Sequence, residues 1–243
     1  MKPSLLIVGL ALLLSSCQQP PSSQTKGMAS LFVHVRAEPK TGAGPSPQKV
    51  NVYDAPKQVD RGAFTRVDYF DLEDIVVWLE PAAGTPPAPA AAMTVDVDPA
   101  KKSASILDVA SVGQRIVLHN ASGSSQTIYS VSDGNDFDFE SVPAGGQAEY
   151  TVRSPGLIEV LTNAPVDNSV KIYAAPSPWA RLAHSGQTVA FNKLPPGQYR
   201  LVCWHPRLPG SQVDLTLTAD HTSDASIEVS VNSLPKIEAG VRG

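Results

Sequence analysis

The chain has 243 residues, 42% hydrophobic and 17% charged, with a formal net charge of -4. That balance fits a globular protein. Mild acidity without a basic run argues against a nucleic-acid partner.

In chain order, Lys2 provides a short positive n-region, followed by an apolar run from Leu5 to Leu14. The run is too short to span a bilayer as a mature helix and sits where a signal h-region belongs. Leu14-Ser15-Ser16-Cys17 then resembles a lipobox, in which the cysteine takes diacylglycerol and becomes the first mature residue. This resemblance predicts a signal peptide over 1–16, lipidation at Cys17 and a lipid anchor in the cell envelope. Gln18, which is not acidic, points to the outer membrane, facing the periplasm or the cell surface. Residues 17–28 are polar and proline-rich and are read as a flexible tether. With Cys17 lipidated, Cys203 has no disulfide partner.

Alternating apolar residues then predict strands at Leu31–Val35, Asp74–Leu79, Arg115–His119, Leu157–Thr162, Val170–Tyr173, Tyr199–Trp204, Val213–Thr218 and Ile227–Val231. The unbroken apolar run Ile75–Leu79 suggests burial on both faces. No window of helical length shows a 3.6-residue period. The 22 prolines fit many turns and no long helices. Short strands between turn signals indicate an all-β fold of sandwiches or barrels. Lys40–Lys57 is read as an irregular excursion, and Pro81–Ala92 (PAAGTPPAPAAA) as an exposed linker.

Gly113 to Asn120, Ile128-Tyr129-Ser130, Asn135 to Asp138, Gly145-Gly146 and Pro155 to Val160 share order and spacing with one family. Over 93–175 the chain resembles the cupredoxin-like domain of periplasmic proteins labelled methylamine-utilisation proteins. That resemblance implies a Greek-key β-sandwich and a mononuclear copper site of two imidazoles, a thiolate and a thioether. The ligands do not carry over. Gln126 stands at the first histidine position, Thr162 at the cysteine, Pro165 at the second histidine and Asn168 at the methionine.

Gly186, Val189-Ala190-Phe191 and Leu194-Pro195-Pro196-Gly197-Gln198-Tyr199-Arg200-Leu201 resemble a second family, the transthyretin-like, carboxypeptidase-regulatory-type sandwich. Such modules open with two strands resembling Leu31–Val35 and Ile75–Leu79. Two arrangements follow: a discontinuous sandwich over 29–85 and 176–234, with the cupredoxin-like domain inserted and a tail at 235–243, or three sequential units; the few strands of 29–85 favour insertion. The fold class expected is two Greek-key-type β-sandwiches.

Few residues present themselves for chemistry. Cys203 and His205 share one face of a strand, and with His119 they are the soft ligands available to a relocated copper site. The simpler reading makes Cys203 a buried, inert thiol. His34, His184 and His221 lack companions at ligand spacing. Asp133, Asp136 and Asp138 superficially suggest calcium, but a glutamate at the bidentate position is missing. Asp96 and Asp98 alternate with Val95 and Val97 as the wet face of a strand. Trp179, between Pro178 and Ala180, is read either as an exposed contact or as a rim residue packed between domains. No nucleophile elbow, zinc-protease motif or phosphate loop occurs. The sequence therefore reads as a non-catalytic envelope lipoprotein without a cofactor, whose partner is an envelope protein or a glycan. The alternative is a copper protein that carries electrons or delivers the metal.

Overall fold

The computed structural model describes residues 25–41, 68–84, 86–89, 91–101, 105–164 and 168–233. The signal segment, Cys17, most of the tether and of the 40–57 excursion, Pro165 and the 235–243 tail lie outside the described residues. The chain is all-β. Its strands are β1 (Ala29–Glu38), β2 (Ile75–Pro81), β3 (Met93–Val97), β4 (Ile106–Ser111), β5 (Arg115–Asn120), β6 (Gln126–Ser130), β7 (Phe137–Val142), β8 (Gln147–Thr151), β9 (Gly156–Thr162), β10 (Val170–Ala175), β11 (Ala180–Ala183), β12 (Thr188–Leu194), β13 (Gly197–Trp204), β14 (Gln212–Leu217) and β15 (Thr222–Ser230).

Four sheets result, ordered β12-β1-β15, β11-β2-β13-β14, β4-β10-β9-β6-β7 and β3-β5-β8. Strands β1 and β2 pair with strands from the C-terminal third, while β3 to β10 pair among themselves. In β1, Leu31, Val33 and Val35 turn inward, and His34 and Arg36 turn to solvent, which is the period-2 pattern of a half-buried strand. They meet Ile75, Val77 and Leu79 of β2, Tyr199 and Leu201 of β13, and Ile227 and Val229 of β15 in one core. A second core joins Val95, Ile116 and Leu118 to Ile128, Ile158, Val160 and Ile172. Each core lies between two sheets, as in sandwich packing.

The two sandwiches meet along a seam. β2 is buried on both faces: alternate residues Val76 and Trp78 leave the first core and pack against Ile106, Tyr173 and Ala175. Trp204 of β13 joins them, its ring centroid 4.4 Å from that of Tyr173, and the Trp78 ring centroid stands 5.9 Å from that of Tyr173. The order of layers is therefore β12-β1-β15, then β11-β2-β13-β14, then the five-stranded sheet, then β3-β5-β8. A polar clasp closes the seam at one end. Asp74, in the left-handed region at φ 62°, accepts the Ile106 amide at 2.6 Å, and Ser105 donates to Glu73 at 3.0 Å. Aspartate tolerates this backbone better than most residues because its side chain is short and polar.

The strand ending at Val231 in the sequence reading stops at Ser230, and Val231 opens a 3-10 turn over Val231–Ser233. β14 is an edge strand: Leu217 is buried, but Val213 is 38% exposed, so its apolar face is only half covered. Among the described residues no helix is long and apolar enough to cross a membrane.

Candidate functional site

Strand β6 begins at Gln126 and β9 ends at Thr162, and Thr162 lies opposite Ile128 in the β6–β9 register. Gln126 and Ile128 share a face, so Gln126 and Thr162 come to the same end of the five-stranded sheet. Their side chains are spent on local structure. Gln126 donates Nε2–H to Ser124 Oγ at 2.9 Å, and Thr162 Oγ1 accepts the Ala164 amide at 3.4 Å. Between them, Asn163 Oδ1 accepts the Thr127 amide at 3.0 Å and ties the two strands together. Asn168 reaches another loop, donating Nδ2–H to the Pro99 carbonyl at 2.7 Å. These amide and hydroxyl groups are not the imidazole, thiolate and thioether donors that a type 1 copper ion takes. Pro165, which lies outside the described residues, has no side-chain donor atom. The residues present do not fit a type 1 copper ion.

The three soft candidates are dispersed. Cys203 is buried in the first core; its Sγ accepts the Ser211 amide at 3.2 Å and donates to the Glu228 carbonyl at 3.2 Å. Burial pushes the thiol pKa above its ordinary value, which lowers its thiolate fraction. His205 follows the end of β13 and turns into its own loop. Its Nδ1 accepts the amides of Arg207 and Leu208, both at 3.1 Å. Burial, assisted by Arg207, lowers its pKa to about 4. His119 belongs to β5 of the other sandwich and pairs through Nδ1 with its cross-strand neighbour Asp96 at 2.8 Å. Among the described residues no group of three or more His, Cys, Asp or Glu side chains is placed to hold a metal ion.

Other candidates resolve into structure. Buried Asn135 organises the acidic loop ahead of β7, and Asp138 lies within that strand. Asn135 Oδ1 accepts from Tyr150 Oη and from the amides of Arg153 and Ser154, and its Nδ2 donates to the Ser154 carbonyl. His34 contacts Thr188 at 2.9 Å, and His184 the Ser185 carbonyl at 2.9 Å. Trp179 is half-buried, packs on the first core and stands edge-on to Tyr199, with ring centroids 5.7 Å apart. Its remaining surface lines a cleft of about 460 Å³ with Pro81, Gly84, Pro195, Pro196 and Tyr199.

A feature the sequence reading missed is a cleft of about 590 Å³ at the seam, where Asp71, Glu73 and Asp74 face Lys171, His205 and Arg207. Desolvation raises the Asp74 pKa, partly offset by its bond to the Ile106 amide. The acidic run Asp71–Asp74 was visible in the sequence, but its meeting with 205–207 depends on the sandwiches docking.

No family model matches this chain, and no curated protein matches it. Among solved structures it is similar to three mutants of amicyanin in the Cu(I) form. Two carry methionine-to-alanine changes, at 15% and 14% identity, and one a proline-to-glycine change, at 14%. The alignments cover 40% of this chain and 98%, 99% and 98% of those chains respectively, each with a TM-score of 0.30. A superposition that loose defines neither a metal site nor a function.

Proposed function

We propose that the protein is a lipid-anchored, non-catalytic binding or accessory module of the cell envelope. Its 93–175 unit is a cupredoxin-like scaffold without type 1 copper, set within a carboxypeptidase-regulatory-like sandwich formed by 29–85 and 176–234. The observation that carries this reading is the occupation of the ligand positions: Gln126, Thr162 and Asn168 spend their polar atoms on neighbouring loops, where a copper protein keeps soft donors free. The Leu14–Cys17 motif supports the anchor, with residues 17–28 as tether. The physiological partner is an envelope protein or a glycan.

Copper titration of the soluble chain beginning at Gln18, followed by absorption, EPR and calorimetry, tests the reading. No binding above background is expected. Tight one-to-one binding with a thiolate-to-copper absorption band would sink it and restore the electron-transfer alternative. A Cys203→Ala variant would then show whether that thiol is a ligand.

A further inference from the structure

The end of the first sandwich that carries the Trp179 cleft is also the end where the chain enters β1. Ala29 pairs with Leu194, and Leu194 immediately precedes Pro195 and Pro196 on the wall of the cleft. The approach to β1 is pinned at this same end: the Gly27 amide donates to Asp220 Oδ1 at 2.7 Å, and the Asp220 amide to the Met28 carbonyl at 2.9 Å. β2 finishes here too, with Tyr199 opposite Pro81 and the Ala82 amide bonded to the Gln198 carbonyl at 2.9 Å. The described chain thus begins at Thr25, at the end of the sandwich that also carries a groove walled by an indole, a phenol and three prolyl rings.

The groove is built rather than incidental. Tyr199 Oη donates to the Pro195 carbonyl at 2.7 Å, which fixes the Pro-Pro turn against the phenol ring. Trp179 is held from behind by the Tyr199 ring and by its own carbonyl, which accepts the Leu79 amide at 3.0 Å. Rigid aromatic and prolyl surfaces of this kind receive proline-rich segments. Such segments lose little conformational freedom on binding because they are already extended. The chain immediately outside the structure has this chemistry: Gln18-Gln19-Pro20-Pro21-Ser22-Ser23-Gln24. From Cys17 to Thr25 it spans at most roughly 28 Å, enough to fold back over the end of the sandwich.

We infer that the cleft formed by Trp179, Tyr199, Pro195 and Pro196 is a docking groove for the protein's own tether, with Pro20 and Pro21 seated against the Trp179 ring. Docking shortens the free tether and holds this end of the sandwich near the anchor; release lets the body stand further from the membrane. The inference rests on the reading of 17–28 as a lipoprotein tether.

The test uses the full lipidated chain in detergent micelles, with a nitroxide attached at Ser23→Cys and the three tryptophan indole N–H signals followed by NMR. Cys203 is buried and stays unlabelled, and the Trp78 indole is identified by its bond to Glu80 at 2.7 Å. The expected result is loss of most of the Trp179 intensity, with the Trp78 and Trp204 indoles on the seam face broadened less and Trp179 restored by a Pro20→Ser/Pro21→Ser change. Full Trp179 intensity in the labelled parent overturns the inference. So does equal broadening without the prolines, since that is mere proximity. A Trp179 shift on adding an N-acetylglucosamine oligomer, with the label silent, gives the groove to a glycan instead. Intact mass of the same sample reports diacylglycerol on Cys17, so failure of the tether reading is seen separately from failure of docking.

Discussion

The Nδ1 lone pair of His205 takes the place of the side-chain oxygen in an Asx turn, accepting the amides two and three residues ahead and presenting Pro206 at the corner. A proton on Nδ1 removes both bonds and buries a charge. The folded state therefore favours the neutral ring, and its pKa falls from 6.5 to about 4. The stabilisation from this preference is complete above pH 6.5 and is lost as pH falls through about 4. It is expected to amount to about 2 kcal/mol, after discounting for solvent near the loop. In His205→Asn the side-chain oxygen still accepts the amides but takes no proton. Denaturant midpoints measured between pH 7 and 4 should decline for the parent and flatten for this variant; parallel curves would refute the assignment.

β2 shows how one strand serves two cores. Its odd-numbered residues Ile75, Val77 and Leu79 fill the first sandwich, and the even-numbered Val76 and Trp78 make the seam. Trp78→Ala removes a buried indole, its contact with Tyr173 and its bond to Glu80. A loss of about 3 kcal/mol is expected by urea denaturation, the range for large-to-small changes at packed sites. A loss under about 1 kcal/mol would mean the seam is loose. The unbroken apolar run of β2 was legible as double burial. Elements such as β7 and β8 were not. β7 alternates Phe137 and Phe139 with Asp138 and Glu140, and is not among the strands the sequence predicts. β8 is a polar edge strand in which only Tyr150 is buried. Short edge strands carry little apolar signal because one side faces solvent.

The seam bears on how the whole molecule unfolds. Val76, Trp78, Tyr173 and Trp204 are shared between the sandwiches, and the Asp74–Ile106 and Glu73–Ser105 bonds clasp its edge. One cooperative transition is expected by differential scanning calorimetry, with calorimetric and van't Hoff enthalpies equal. Two resolved transitions would show that the sandwiches fold separately and that the seam is only a contact.

The sequence alone determined strands such as β1, β2, β13 and β15, because alternation of apolar and polar residues is a local property set by the two-residue period of an extended chain. It also determined that Gln126, Thr162 and Asn168 offer amide and hydroxyl groups and Pro165 no side-chain donor, since the chemistry of a side chain needs no fold. Tertiary structure decided what those atoms bond to: Asn168 finds Pro99, sixty-nine residues away, only when their loops meet. It also decided that Cys203 and His119 lie in different sandwiches, that Trp179 turns half inward onto Tyr199, and that the β1 approach shares an end with the Pro195–Pro196 turn. Such placements depend on pairing between distant strands and on docking of two sheet faces, long-range choices that a local pattern does not encode.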